Sequence, residues 1–155
     1  MGARSSGREA ALQMLFALDA GESKPARVIR DFWREFPGDP EGREYADAAV
    51  LGVMNDLQGL DDLLRRASTN WRLERMARVD RNLLRLAAWE LACQADIPAA
   101  VVIDEAVTLA KRYGNANSGG FVNGVLSQVA GYCGRSVNVV LEEDPASTPD
   151  GERGA

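Results

Sequence analysis

Hydrophobic positions along the chain recur at helical spacing almost throughout. Over 8–20, Leu12, Leu15, Phe16 and Asp19 fall three or four residues apart, and Gly21 ends the run. Pro25 suits a first helical turn and opens a segment carrying Val28, Ile29, Phe32, Trp33 and Phe36. "PGDPEG" at 37–42 reads as a loop. A longer helix follows over 43 to about 58, with Tyr45, Ala49, Val53 and Leu57 on one stripe. Residues 61–68 form a shorter helix, after which a loop anchored by Trp71 is expected. In "ARVDRNLLRLAAWELACQ", Val79, Leu83, Leu86, Ala87 and Leu91 share a face, and Leu84 and Trp89 widen it. A helix apolar over so much of its circumference belongs at the centre of its domain. Pro98 forces a break. Val102, Ile103, Ala106, Val107 and Ala110 then define one helix, and Phe121, Val122, Val125, Leu126 and Val129 the last.

The pattern predicts an all-α fold of about seven helices in one domain over 1–137, with no strand and no repeat of fixed period. Loops near 37–42 and 69–76 offer places to divide it into two lobes. Beyond Gly134 the composition turns acidic, with Pro145 and Pro149, so 138–155 is expected to be a disordered tail.

Composition narrows the function. Apolar residues at 46% and charged residues at 26% are ordinary for a soluble domain of 155 residues. No run nears the roughly 18 apolar residues that span a bilayer, and no export signal is visible at the start, which points to the cytoplasm. Histidine is absent, which removes the commonest general base. With only Cys93 and Cys133, both read as buried thiols, no metal site, no cofactor and no enzymatic activity are expected.

The net charge of −5 conceals a division. Residues 134–155 hold two arginines against five acids, whereas 65–85 hold seven arginines against Glu74 and Asp80. That basic segment is either a solvated face with intrahelical pairs or a surface for an anionic partner.

One loop stands out. In "KRYGNANSGGFVNG", Gly114 reads as a left-handed helix terminator preceded by cations, and Asn117 or Ser118 as the next cap. Gly119 and Gly120 then fall in a first turn, where each glycine costs about 1 kcal/mol against alanine. Two explanations offset that cost: bare amides that meet a phosphate, or a tight helix crossing.

These residues carry a resemblance. "RVDRNLLRLAAWEL", "DIPAAVVIDEAVTLAKRYG" and "SGGFVNGVL" resemble the C-terminal half of the bacterial transcription antitermination factor NusB, and "REAALQMLFALD" its first helix. The likeness runs in order over about 8–130. It implies two helical subdomains, about 8–58 and 60–133. It also implies binding of a single-stranded RNA element in ribosomal RNA leaders together with NusE, the small-subunit ribosomal protein in a second role. The complex would act indirectly on the RNA polymerase elongation complex; a homodimer stays open.

By the same resemblance, Arg4, Arg8, Gln13, Phe16, Tyr113, Asn117, Ser118 and Phe121 match RNA-binding positions, and Asp80 a NusE-facing one. Phe16 and Phe121 fit base stacking or core packing equally. Asp80 also fits a first-turn carboxylate. The family's N-terminal arginine run is reduced here to Arg4 and Arg8, and Gly120 stands where relatives are often basic. Each lost cation removes a phosphate contact, so RNA binding alone should be weak. The alternative is an adaptor that works through protein contacts, with RNA binding weakened or lost.

Overall fold

The computed structural model describes residues 2–38 and 40–137; the expected tail, 138–155, lies outside them. Among the described residues there are seven α-helices and no strand. They are α1 (Ala3–Ala20), α2 (Pro25–Glu35), α3 (Pro40–Asn55), α4 (Leu57–Ala67), α5 (Arg78–Cys93), α6 (Ala99–Tyr113) and α7 (Ser118–Tyr132). A single 3-10 turn, Leu73–Arg75, leads into α5. No described helix is long and apolar enough to cross a membrane.

α5 is the hub. Eleven of its residues are buried, including Leu83, Leu84, Leu86, Ala87, Ala88 and Leu91. It touches α1 and α3 on one side and α4, α6 and α7 on the other. The buried side chains of both groups form one cluster, from Ala11 and Met14 to Val129 and Ala130.

α1 begins at Ala3, several residues before its apolar stripe. "SSG" is the reason. A Cβ on Gly7 would lie 2.8 Å from the Gly42 carbonyl oxygen and 3.2 Å from Tyr45 Cβ. α1 and α3 therefore cross backbone to backbone, and small residues serve that approach. The same crossing draws 40–42, expected to be loop, into the first turn of α3, where Pro40 needs no amide partner.

Two further expectations change. Cys93 is exposed and Cys133 only partly buried, and both are free thiols. Trp71 is not the buried anchor expected of its loop, since 61% of it is exposed. The left-handed terminator lies elsewhere too: it is Gly134, at φ +70°, where the Arg135 amide donates back to the Ala130 carbonyl at 2.8 Å.

Candidate nucleic-acid interface

The loop between α6 and α7 is built by side chains folded under it. Gly114 is extended, at φ −96° and ψ −162°. Its glycine answers a steric demand: a Cβ there would meet Ser118 Cβ at 2.7 Å and the Ala110 carbonyl oxygen at 2.8 Å. Ser118 is only 1% exposed, and its Oγ accepts the Asn115 amide at 3.0 Å. Asn115 Oδ1 in turn accepts the Asn117 amide at 2.8 Å. Ser118 thus shapes the loop from beneath, while Asn117 stays exposed at its crest.

Asn117 does not cap α7 with its side chain, and the first amide of the helix, that of Ser118, donates instead to the Asn115 carbonyl at 3.1 Å. The two glycines behind them differ. A Cβ on Gly119 would sit 3.2 Å from the Lys111 stem, so this position serves the α6–α7 contact. A Cβ on Gly120 would meet nothing within 4 Å. Close packing accounts for Gly119; at Gly120 the bare backbone faces open space, beside amides that suit an anion.

α1 runs alongside this loop. The Tyr113 hydroxyl donates to Glu9, Arg112 pairs with the other Glu9 oxygen at 3.0 Å, and Gln13 lies within hydrogen-bonding reach of Tyr113. Partial burial, with the Glu9 bond behind it, pushes the Tyr113 phenol above its ordinary pKa, so the ring stays neutral and a donor. One turn on, Phe16 is 38% exposed with the Arg78 guanidinium 5.6 Å from its ring centre. Gln13, Phe16, Tyr113 and Asn117 are therefore all exposed.

Phe121 both packs and lines a surface. It is half-buried against the core and meets Trp71 edge-on, ring centres 5.5 Å apart. The two rings form one wall of a cleft of about 400 Å³ that also includes Asn117 and, in its depths, Asp80. Asp80 is 6% exposed, and its Oδ1 has no hydrogen-bond partner among the described residues. A buried acceptor without a donor is costly, and a cationic donor from a partner would satisfy it.

The two N-terminal arginines diverge. Arg4 is exposed in a 2.9 Å pair with Asp96, the kind of surface pair that exchanges partners at little cost. Arg8 is 3% exposed. Its Nε donates to Glu90 at 2.7 Å, and Glu105 lies 3.5 Å from its Nη1. Tyr45 donates to the same Glu90 oxygen. In this conformation Arg8 is a buried structural cation and offers no surface to a phosphate, contrary to its expected place among the RNA contacts.

The basic segment is neither a solvated face nor a uniformly free one. Arg81 holds Asp19 of α1 at 2.7 Å, and Arg85 grips Asp61 of α4 at 2.8 and 2.9 Å. Arg78 stands 4.0 Å from Asp19, and Arg65 pairs with Asp62 and Glu74. Arg66, Arg72 and Arg75 form no ion pair among the described residues, and all three are exposed. They and Trp71 were not singled out from sequence as site residues. An exposed tryptophan among unpaired arginines is a signal that only the tertiary pairing makes visible.

An all-α scaffold presenting open backbone at Gly120, exposed aromatic faces and exposed arginines has the build of an RNA-binding adaptor. The profile of the NusB family matches residues 5–131, and the chain belongs to that family. The transcription antitermination protein NusB of Sorangium cellulosum is 66% identical over 135 residues, covering 87% of this chain and 96% of that one. NusB of T. maritima superposes with a TM-score of 0.77 at 39% identity, over 83% of this chain and 90% of that one. A structure of the antitermination factors NusB and NusE with double-stranded RNA contains a chain that matches at TM-score 0.78 and 26% identity, over 85% and 98%.

Proposed function

We propose that this chain is a non-enzymatic transcription antitermination factor that binds a single-stranded element of ribosomal leader RNA together with NusE. The observation that carries this reading is the junction of α1, the 114–118 loop and α7. There Gln13, Tyr113 and Asn117 stand exposed, and two residues into α7 the backbone is open at Gly120. Phosphate would lie against the first turn of α7, and unstacked bases against Phe16, Tyr113 and Phe121. Arg4 contributes charge by leaving Asp96. Ser118 acts through the loop it supports.

NusE is assigned to the adjoining cleft, where Asp80 needs a cationic donor and Trp71 offers apolar area. Because Asn117 and Phe121 line that cleft too, RNA and NusE would meet across a shared edge, which makes their binding cooperative. Photochemical crosslinking of leader RNA to the chain in the presence of NusE tests this arrangement. Crosslinks at Tyr113 and Phe121 are expected; crosslinks confined to α2 or the far face of α6 would overturn it.

A further inference from the structure

Beyond Trp71 the surface continues into a groove of about 470 Å³ between the end of α4 and the outer face of α7. Its floor is bare: a Cβ on Gly120 or Gly124 would meet nothing within 4 Å. Its ends are aromatic. Trp71 stands at one end, 61% exposed, and Tyr132 at the other, 41% exposed. The Arg66 guanidinium lies 4.1 Å from the centre of the Tyr132 ring, and Asn70 and Gln128 supply amides along the walls.

From this we infer that the groove is a second RNA subsite, which takes the unpaired nucleotides that continue past the Phe121 wall. The inference rests on the RNA reading above and extends it. Three observations favour RNA as the occupant. The groove is continuous with the proposed interface, since Trp71 and Phe121 line both the groove and the adjoining cleft. Charge is complementary, because Arg66, which lines the groove, forms no ion pair among the described residues. Exposed rings at the two ends, an arginine plane and open backbone between them are what a sequence-tolerant single strand needs: faces to stack on and cations for its phosphates.

The subsite also offers a way to offset the sparse N-terminal arginines. Contacts missing at the start of α1 would be replaced by contacts along α7, on the opposite side of the loop. RNA affinity should then depend on length beyond the core element.

The test compares the leader element alone with the same RNA extended on either end by about six uridines, with NusE present. Extension should tighten binding to the wild-type chain. Tyr132→Ala and Arg66→Gln should each lose at least about fivefold of the affinity for an extended RNA, the lower end of what one stacked base contributes. Neither should change the affinity for the unextended element. Gly124→Leu provides the variant least able to harm the fold, because it fills open space on a helix; it should abolish the gain from extension, with the helical circular dichroism unchanged.

If the unextended element binds but extension adds nothing, this inference is wrong and the main interface stands. If the unextended element fails to bind at all, the RNA reading itself fails, and the subsite with it. Should the three variants keep the gain from extension yet lose NusE, the groove is a protein surface and the inference is overturned.

Discussion

Arg8 Nε donates to Glu90 Oε2 across 2.7 Å, and each side chain is at most 4% exposed. Burial holds the Glu90 carboxyl above its ordinary pKa even though Arg8 and Tyr45 pull it down. The pair therefore joins α1 to α5 in the interior, and Arg8 is a structural cation in the very stretch that resembles an RNA-binding arm. Arg8→Met should leave Glu90 buried and uncompensated, costing about 3–5 kcal/mol. The double variant Arg8→Met/Glu90→Leu should recover much of that loss. Denaturant unfolding of the three proteins measures both. A variant that unfolds like wild type but binds RNA with a shallower salt dependence would return Arg8 to the RNA surface.

Two of the loop glycines, Gly114 and Gly120, should separate by role. Gly114→Ala forces its Cβ onto Ser118 and the Ala110 carbonyl and should destabilise by about 1–3 kcal/mol. Gly120→Ala meets no neighbour within 4 Å and should stabilise α7 by up to about 1 kcal/mol while weakening RNA binding. Thermal melts and RNA titrations on the same two proteins check this. Unfolding by Gly120→Ala would show that its backbone is a packing surface after all.

Asn117→Asp should weaken RNA binding and spare NusE binding. The side chain is exposed at the crest of the loop, where the new negative charge would face phosphate, whereas at the edge of the cleft assigned to NusE the same charge would face a cationic partner group and be tolerated. Titrating each partner separately distinguishes this from a general loss of fold.

Two carboxylates should respond to acid in opposite directions. Burial pushes Asp19 up, but hydrogen bonds from Arg81 and Asn82 outweigh it and hold its pKa below the ordinary value. Its folded pKa is thus below its unfolded one, and its stabilisation, present above the carboxylate range, is lost as pH falls through the folded value. For Glu90 the folded pKa is the higher, so its contribution is fully present at acid pH and is lost as pH rises through that value. Relative to Asp19→Asn, the wild type should lose stability on acidification below about pH 4; relative to Glu90→Gln it should gain. Parallel urea melts across that range report both slopes.

The helices and the central place of α5 were legible in the sequence, because a stripe of apolar residues at helical spacing fixes what must be buried. What was hidden depends on partners distant in the chain. Residues 3–7 look like a polar arm until Gly42 is seen against Gly7. Gly114 has the composition of a left-handed cap, but the steric demand comes from Ser118. The seven arginines of 65–85 look alike in sequence, and only the folded pairings, of Arg65 with Asp62 and Glu74 and of Arg78, Arg81 and Arg85 with Asp19 or Asp61 on other helices, single out the three that form no ion pair among the described residues. Of the residues matched to RNA-binding positions, Gln13, Phe16, Tyr113 and Asn117 are exposed. Ser118 and Arg8 are buried, since a short hydroxyl and a long cation read alike whether they face solvent or a neighbouring helix.

The central claim is that this chain binds leader RNA through a surface that is completed by NusE. The most direct measurement is the affinity for the organism's own ribosomal leader element, with and without NusE, at two salt concentrations. The chain alone should bind weakly and with strong salt dependence, and NusE should tighten binding by at least about tenfold, a coupling of about 1.4 kcal/mol. Equal affinity with and without NusE, at both salt concentrations, would contradict it.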